Sequence, residues 1–248
     1  MIEARNISKS FGNKEVLKNI SIVGEQGKTT LVIGGSGHGK TVLMRILVGL
    51  EEVSSGAVFY DSRNFLEMKL DQRKAIRKEM GMLFQGAALF DSLTVEENIM
   101  FPLSMFTDNT EEEKLERVNF CLHRVNLENV NHLYPSEISG GMKKRVGIAR
   151  AIVMSPKYLF CDEPNSGLDP LTSVIIDELI KEITAEYHIT TLLNTHDMNS
   201  VMNIGDKVIF MYKGQKWWEG SSQNILHSDN KEVTEFIGTA KMLKELRK

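Results

Sequence analysis

The first part of the chain alternates short apolar runs with turn residues, which is the pattern of β-strands. The runs EARNIS, VLKNISIV and TTLVIG lie within residues 1–33, and turns that contain glycine separate them at 11–13 and 24–27. From residue 41 to residue 50 the apolar positions follow the period of a helix instead. We therefore predict three strands followed by an amphipathic helix.

Along the rest of the chain, the spacing of apolar residues again alternates between the patterns of strands and helices. Residues from about 86 to 155 follow a mostly helical pattern, and residues 172–187 predict an amphipathic helix. The mixed charges of residues 229–248 predict an exposed helix. Alternation of strands and helices around one helical insert predicts an α/β fold with a helical lobe. The further predicted strands are MGMLFQ at 80–85, YLFCDE at 158–163, ITTLLNTH at 189–196 and a closing hairpin, KVIFMYKGQKWWEG, at 207–220.

Composition excludes several classes of protein. The 248 residues are 42% hydrophobic and 25% charged, and the formal net charge of −3 disfavours nucleic acid as a partner. Two cysteines are too few for a disulfide framework. The opening MIEARNISKS lacks the features of a signal peptide, and no apolar run reaches the ~18 residues of a membrane span. We expect a reducing cytoplasmic setting and a peripheral role at any membrane.

The strongest local signal is GGSGHGKT at 34–41, which fits G-x-x-x-x-G-K-[ST] between a predicted strand and a predicted helix. Such a loop aims backbone N–H groups at one anion, and the helix N-terminus adds partial positive charge. Lys40 can reach the outer phosphates of a nucleotide, and Thr41 can offer its hydroxyl to Mg²⁺. A plain glycine-rich turn is the alternative. The candidate nucleotide-binding residues here are Gly34, Gly35, Ser36, Gly37, His38, Gly39, Lys40 and Thr41.

An acidic pair ends the predicted strand YLFCDE. Adjacent residues of a strand point to opposite sides, so Asp162 and Glu163 can perform different tasks. Asp162 can hold Mg²⁺ through water, and Glu163 can orient and deprotonate an attacking water. On its own, an acidic pair after a strand usually just begins a loop. The catalytic interpretation is supported only by the presence of the phosphate loop in the same chain.

A second candidate anion site lies in ISGGMKKR, where a serine and two glycines open a helix. The Ser139 hydroxyl, the N–H groups of Gly140 and Gly141, and the helix dipole could all contact an anion. A helix with an N-cap and no ligand is the alternative. A chain with two separate anion sites suggests two copies that share nucleotides.

The order of these motifs, together with Gln85, NSGLD at 165–169 and His196, resembles the ATP-binding subunit of ABC transporters. The resemblance covers residues 1–222. It implies a P-loop NTPase (RecA-like) core with an N-terminal antiparallel β region and an α-helical subdomain inserted at about 86–155, followed by a C-terminal helical tail at 223–248. It also implies ATP hydrolysis with Mg²⁺ and two copies that face head to tail, with each ATP between the phosphate loop of one and the signature helix of the other.

The resemblance also assigns roles at the phosphate end of the nucleotide. Gln85 matches the glutamine that contacts Mg²⁺ and the attacking water, so Thr41, Gln85 and Asp162 form the implied metal set. His196 matches the histidine that contacts the γ-phosphate, and with Glu163 and Gln85 it completes the implied catalytic set.

Three further positions concern the base, the α-phosphate and the partner copy. Phe11 matches the aromatic residue that stacks on adenine, and Val16 would flank the base. Val42 stands where the family usually has a hydroxyl residue, so we expect one contact to the α-phosphate to be missing. Asp169 matches the loop that crosses to the partner subunit.

The cargo is suggested only by residues 82–103, MLFQGAALFDSLTVEENIMFPL, which resemble the Mla-type ATPases of lipid asymmetry maintenance. That resemblance implies phospholipid movement between the inner and outer membranes, with the subunit at the cytoplasmic side of the bacterial inner membrane. The implied partners are permease subunits, a periplasmic lipid-binding ring protein and a small regulatory subunit. Two alternatives stay open: an importer of amino acids or other small solutes, and a cell-division-type ATPase that transports nothing.

The same segment would form the groove that receives a permease helix. Its large apolar residues could line the floor of that groove, or they could be ordinary core of the helical lobe. These residues are Leu89, Phe90, Leu93, Met100 and Phe101.

Overall fold

The computed structural model describes residues 1–245, with side chains through Gly238. Over that range the strands are β1 (Ile2–Phe11), β2 (Lys14–Gly24), β3 (Thr29–Ile33), β4 (Ser55–Tyr60), β5 (Arg63–Asn64), β6 (Met80–Leu83), β7 (Tyr158–Asp162), β8 (Thr190–Thr195), β9 (Lys207–Tyr212) and β10 (Gln215–Gly220). The helices are α1 (Lys40–Leu47), α2 (Leu70–Lys78), α3 (Val95–Phe106), α4 (Glu111–Arg124), α5 (Gly140–Ile152), α6 (Pro170–Glu186), α7 (Met198–Ile204), α8 (Ser222–Ile225) and α9 (Lys231–Glu245).

The N-terminal strands form an antiparallel sheet in the order β2-β1-β4-β5, which confirms the predicted antiparallel region. Ile7 and Leu17 on its inner face pack with Leu43 of α1 in one hydrophobic core. Four elements were not predicted from the sequence, namely β4, β5, α2 and α7. For two of them the reason is physical, because β5 spans two residues and α2 consists mostly of charged residues, so neither carries a clear apolar period.

The central sheet has the order β10-β9-β3-β8-β7-β6 and places the functional loops together. β3, β8, β7 and β6 run parallel, and β3, β7 and β8 are buried along their whole length. Buried parallel strands are continuous apolar runs, which is why the sequence pattern identified them. Because their carboxyl ends lie at one edge, the residues that follow each strand are neighbours there.

The helical subdomain is built from α3, α4 and α5. The side chains of Thr94 and Thr110 each accept a hydrogen bond from the backbone N–H of the third residue of their helix. The backbone N–H of each threonine donates to the glutamate side chain of that third residue. Val95, Val118 and Val146 are fully buried in the core between these helices. The prediction of an α/β fold with an inserted helical subdomain is thus confirmed.

The C-terminal helix differs from the sequence prediction of an exposed helix. Within α9, Val233 is fully buried, Ile237 is 8% exposed, and the ring of Phe236 lies 5.4 Å from the ring of Phe210 on β9. An apolar stripe at i, i+3 and i+4 therefore packs this helix against the sheet, and the charged residues Lys231, Glu232 and Glu235 lie outside that stripe. Residues 246–248 lie outside the described residues.

In the described part of the chain, none of the helices combines the length and the apolar character that crossing a membrane requires.

Candidate active site

The phosphate loop follows β3 and leads into α1, as its motif requires. Three of its glycines have positive φ angles, with 143° at Gly34, 78° at Gly37 and 97° at Gly39. A Cβ at Gly34 would lie 2.3 Å from the carbonyl oxygen of Met211, so this position also needs glycine for space. The backbone angles and the lack of space therefore require glycine at these positions even when no ligand is bound. The absence of side chains also allows a ligand to approach the backbone of the loop closely.

Lys40 lies inside this loop. Its side chain is largely buried, and Nζ donates hydrogen bonds to the carbonyl oxygens of Gly34 at 2.8 Å and Gly35 at 3.1 Å. Burial lowers the pKa of the Lys40 ammonium, and the charges of Glu163 and Asp162 oppose that shift. A cation is therefore held within a cradle of glycines, where a phosphate group would neutralise it.

His38 connects the loop to β9. Its Nδ1 donates to the carbonyl oxygen of Met211 at 3.1 Å, and its ring meets the ring of Tyr212 edge-on at 5.1 Å. Sequence reasoning placed His38 in the nucleotide site by its motif position alone. The structure adds that this residue fixes the outer half of the loop to the sheet.

The carboxylates of the acidic pair have different partners, because β7 ends at Asp162 and Glu163 lies just beyond the strand. Glu163, whose φ is +49°, turns its carboxylate to His196, and the Oε2 to Nδ1 distance is 2.8 Å. Asp162 is 8% exposed, and its Oδ1 accepts a hydrogen bond of 3.2 Å from the Asn194 amide on β8. A carboxylate oriented by an imidazole is suited to general-base chemistry.

Most of the residues predicted to form the nucleotide site line one cavity of about 880 Å³. Its size suits a small organic ligand. It also contains five residues that sequence reasoning missed. Two of these, Phe210 and Tyr212, lie on a predicted strand, but the α9 residues carried no motif that could have identified them. The missed residues are Phe210, Tyr212, Glu232, Glu235 and Phe236, and the predicted ones are Val16, Gly35, Ser36, Gly37, His38, Gly39, Lys40, Thr41, Val42, Gln85, Glu163 and His196.

Phe11 does not line this cavity. It lies at the end of β1 with 47% of its surface exposed, and the Lys9 ammonium lies 4.7 Å from its ring centroid. The stacking of Phe11 on adenine stays a prediction.

The signature residues also lie outside the cavity. Ser139 caps α5 through a hydrogen bond from the Met142 N–H, and Gly140 and Gly141 form the first turn of that helix. A single chain therefore presents these donors away from its own phosphate loop. Whether they bind the nucleotide of a partner stays a prediction.

Asp169 is the N-cap of α6. Its Oδ1 accepts hydrogen bonds of 3.0 Å from the N–H groups of Leu171 and Thr172. The Thr172 hydroxyl also donates to this carboxylate and lowers its pKa. The side chain is thus held at a helix start, and its predicted contact with a partner subunit stays a prediction.

A buried polar cluster supports the loop between Glu163 and Asp169. The Asn165 amide donates to Asp177 Oδ1 at 2.7 Å and to Ser200 Oγ at 2.9 Å. Asp177 and Ser200 are at most 1% exposed and lie on α6 and α7. The Asn165 side chain of the NSGLD motif therefore joins both helices to this loop.

The Asp177 cluster makes stability depend on pH. Burial raises the pKa of Asp177 from 3.8 to about 6, so the folded state holds this proton more tightly than the unfolded chain. The resulting stabilisation is fully present below pH 4 and is lost as pH rises through 6, by up to about 3 kcal/mol. We expect Asp177→Asn to remove this component. Urea unfolding of both proteins at pH 5 and pH 8 should show wild type losing more stability than the variant, and equal losses would contradict the assignment.

Comparison with known protein families gives one clear match. The family described as ABC transporter matches residues 17–166. The methionine import ATP-binding protein MetN of Campylobacter jejuni is 35% identical, over 99% of this chain and 78% of that protein. The glutamine transport ATP-binding protein GlnQ of Escherichia coli is 39% identical, over 96% of this chain and 98% of that protein. A probable ribonucleotide transport ATP-binding protein, mkl of Mycobacterium leprae, is 34% identical, over 95% of this chain and 68% of that protein.

A solved structure extends the match to the whole fold. The dimeric cassette MJ0796, in a post-hydrolysis state bound to ADP and phosphate, superposes with a TM-score of 0.82 at 29% identity. The match covers 90% of this chain and 99% of that one. The two-sheet core and the helical subdomain are therefore those of an ATP-binding cassette.

Proposed function

Because this chain belongs to the ABC transporter family of ATP-hydrolysing subunits, we propose that it drives a membrane permease that imports a small solute, such as an amino acid. The proposed ATP hydrolysis is supported by one observation: the phosphate loop, Gln85, Glu163 and His196 all line the same cavity. The importer part rests on the named activities of the relatives MetN and GlnQ.

In the proposed reaction each cavity residue has one task. Lys40 and the backbone N–H groups of the loop bind the β- and γ-phosphates of ATP. Glu163 takes a proton from the attacking water, and His196, hydrogen-bonded to that carboxylate, contacts the γ-phosphate. Val16 flanks adenine, and Val42 supplies no hydroxyl to the α-phosphate.

The residues present fit a magnesium ion. Thr41, Gln85 and Asp162 offer hydroxyl, amide and carboxylate oxygen atoms, which are the donors that Mg²⁺ prefers together with phosphate oxygens. Thr41 and Gln85 line the cavity, and Asp162 precedes the cavity residue Glu163. Bound there, the ion would neutralise charge on the β- and γ-phosphates.

Two copies of the chain would complete the site. Ser139, Gly140 and Gly141 are placed at a helix N-terminus outside the cavity of their own chain, and the similar cassette MJ0796 is dimeric. In a head-to-tail pair these donors would contact the γ-phosphate held by the partner. The pair would lie peripherally against the permease at the cytoplasmic face of the membrane.

Phospholipid transport is a second candidate, and residues 82–103 are the observation that favours it. Phe90 and Phe101 are 44% and 40% exposed, and their rings lie 4.9 Å apart. The buried Asn98 fixes the loop between them, because its amide bonds the backbone of both Phe90 and Leu93. This rigid aromatic pair is an exposed surface, whereas Leu89 and Met100 pack on the core. A ring protein and a regulatory subunit would belong to this candidate alone.

Replacing Phe90 tests the docking surface. Aromatic anchors of interfaces often contribute ~2 kcal/mol or more, so we expect Phe90→Ala to weaken permease binding by roughly 30-fold. Because Phe90 is half exposed, melting of the isolated subunit and ATP binding should stay near wild type. Phe120→Ala on α4, at a similarly exposed phenylalanine, is the matched control and should keep the permease. A large fall in melting temperature would instead identify Phe90 as core.

Transport by the reconstituted complex separates the two cargo candidates. The full chain would be co-purified with its permease and placed in vesicles, and labelled amino acids and labelled phospholipids would be followed with and without ATP. We expect ATP-dependent movement of an amino acid. Movement of phospholipid with none of the amino acids would replace the importer proposal by the lipid one, and neither cargo moving with normal ATP hydrolysis would contradict both.

A further inference from the structure

The first turns of α9 form one wall of the nucleotide cavity. Glu232, Glu235 and Phe236 are spaced at i, i+3 and i+4, so they share one helix face, and all three line the cavity that contains the phosphate loop. This wall is anchored, because Val233 is fully buried and Phe236 packs on Phe210. The sequence motifs of the nucleotide site assign no role to this helix.

A continuous set of contacts joins this wall to the phosphate loop. The Tyr212 ring contacts His38 of the loop at 5.1 Å and Trp217 at 5.6 Å. The Trp217 indole Nε1 then donates a hydrogen bond of 2.9 Å to Glu232. The position of α9 relative to the loop is therefore determined by packed side chains.

Charge decides which part of a nucleotide can face this wall. Carboxylates repel phosphate groups, and the hydrogen bond from Trp217 lowers the pKa of Glu232, which keeps that carboxylate ionised. The phosphates belong with Lys40 and the phosphate loop and not with the carboxylates of α9. Glu235 also lies 3.9 Å from the Lys231 ammonium, but a carboxylate has about four acceptor positions and can still accept a hydrogen bond from a hydroxyl group. The neighbouring aromatic rings suit a base.

The helix α9 lines the cavity without filling it. Its volume of about 880 Å³ is measured with α9 in place, and this is in the range that holds a small organic ligand. Nothing therefore requires the helix to leave before a nucleotide enters.

We propose that α9 is part of the nucleotide site and that Glu235 accepts a hydrogen bond from the ribose 2′-hydroxyl of ATP, with Phe236 beside the base. The inference rests on the proposed function, because it takes the nucleotide to be ATP. It adds a specificity-determining residue from the C-terminal helix and makes the site selective for ribonucleotides.

Calorimetric titration of the full chain with ATP and with 2′-deoxy-ATP tests this inference. A hydrogen bond to a charged group is worth about tenfold in affinity, so wild type should bind ATP roughly tenfold more tightly than 2′-deoxy-ATP. Glu235→Ala should bring that ratio close to one by weakening ATP alone. Glu116→Ala, an exposed glutamate on α4, should keep the ratio. Glu235→Gln, which keeps the side-chain size, should give an intermediate ratio and serves if the alanine variant does not fold.

The outcomes separate this inference from the proposed function. If wild type binds both nucleotides equally and Glu235→Ala changes neither affinity, the ribose contact is rejected while the ATPase proposal stands. If Glu235→Ala tightens ATP binding, the carboxylate repels the nucleotide and the ribose contact is likewise rejected. If wild type binds neither nucleotide, the proposed function itself fails.

Discussion

Glu163→Gln is expected to reduce ATP turnover by roughly 100-fold or more and to leave ATP binding nearly unchanged. The substitution keeps the size of the side chain but removes the base that would deprotonate the attacking water. An amide can still hydrogen-bond to His196, which lies 2.8 Å from the carboxylate, so the local geometry should survive. Steady-state phosphate release and equilibrium ATP binding measure the two effects separately. The variant should also accumulate as an ATP-bound dimer.

A matched control makes this result specific. Glu112→Gln makes the same chemical change on an exposed residue of α4 and should leave turnover at the wild-type rate. Near-normal hydrolysis by pure Glu163→Gln protein would remove Glu163 from the catalytic role. A variant that loses ATP binding as well would show that the carboxylate organises the cavity instead.

Strong local patterns explain how much of the fold was predictable. β3, β7 and β8 are buried on both sides, so each appears in the sequence as a short apolar run between turns. The phosphate loop needs glycine at positions such as Gly34, where any Cβ would meet the Met211 carbonyl, and that requirement leaves a recognisable motif. Elements without such constraints, such as β5 and the charged α2, were missed.

Residues of the candidate site could be predicted where the functional groups lie together in one loop of the sequence. They could not be predicted where segments far apart in sequence meet. Nothing near Asn165 indicates that its amide joins Asp177 and Ser200, because those partners lie on two later helices. In the same way, the mixed charge of α9 hid an apolar stripe and gave no sign that Glu235 lines the nucleotide cavity. Contacts between segments far apart in sequence depend on the packing of the whole fold.

Gly140→Asp is expected to abolish hydrolysis while an isolated monomer keeps its ATP affinity. In a head-to-tail pair the new carboxylate would face the γ-phosphate held by the other chain, and like charges at short range should prevent closure. The structure indicates that the monomer tolerates the change. A Cβ at Gly140 meets only a Leu168 methyl group at 3.8 Å, whereas a Cβ at Gly141 would clash with Thr172 at 2.7 Å.

Helix energetics strengthen this test. An aspartate in the first turn of α5 interacts favourably with the helix dipole, so lost activity cannot be assigned to a weakened helix. Gly140→Ala, which adds a neutral group at the same position, should keep much more of the activity. ATP binding by monomers and ATP-induced dimerisation, followed by light scattering, measure the two steps. If Gly140→Asp monomers lose ATP affinity as severely as a Lys40→Ala variant does, the signature helix acts within its own chain and the shared site is wrong.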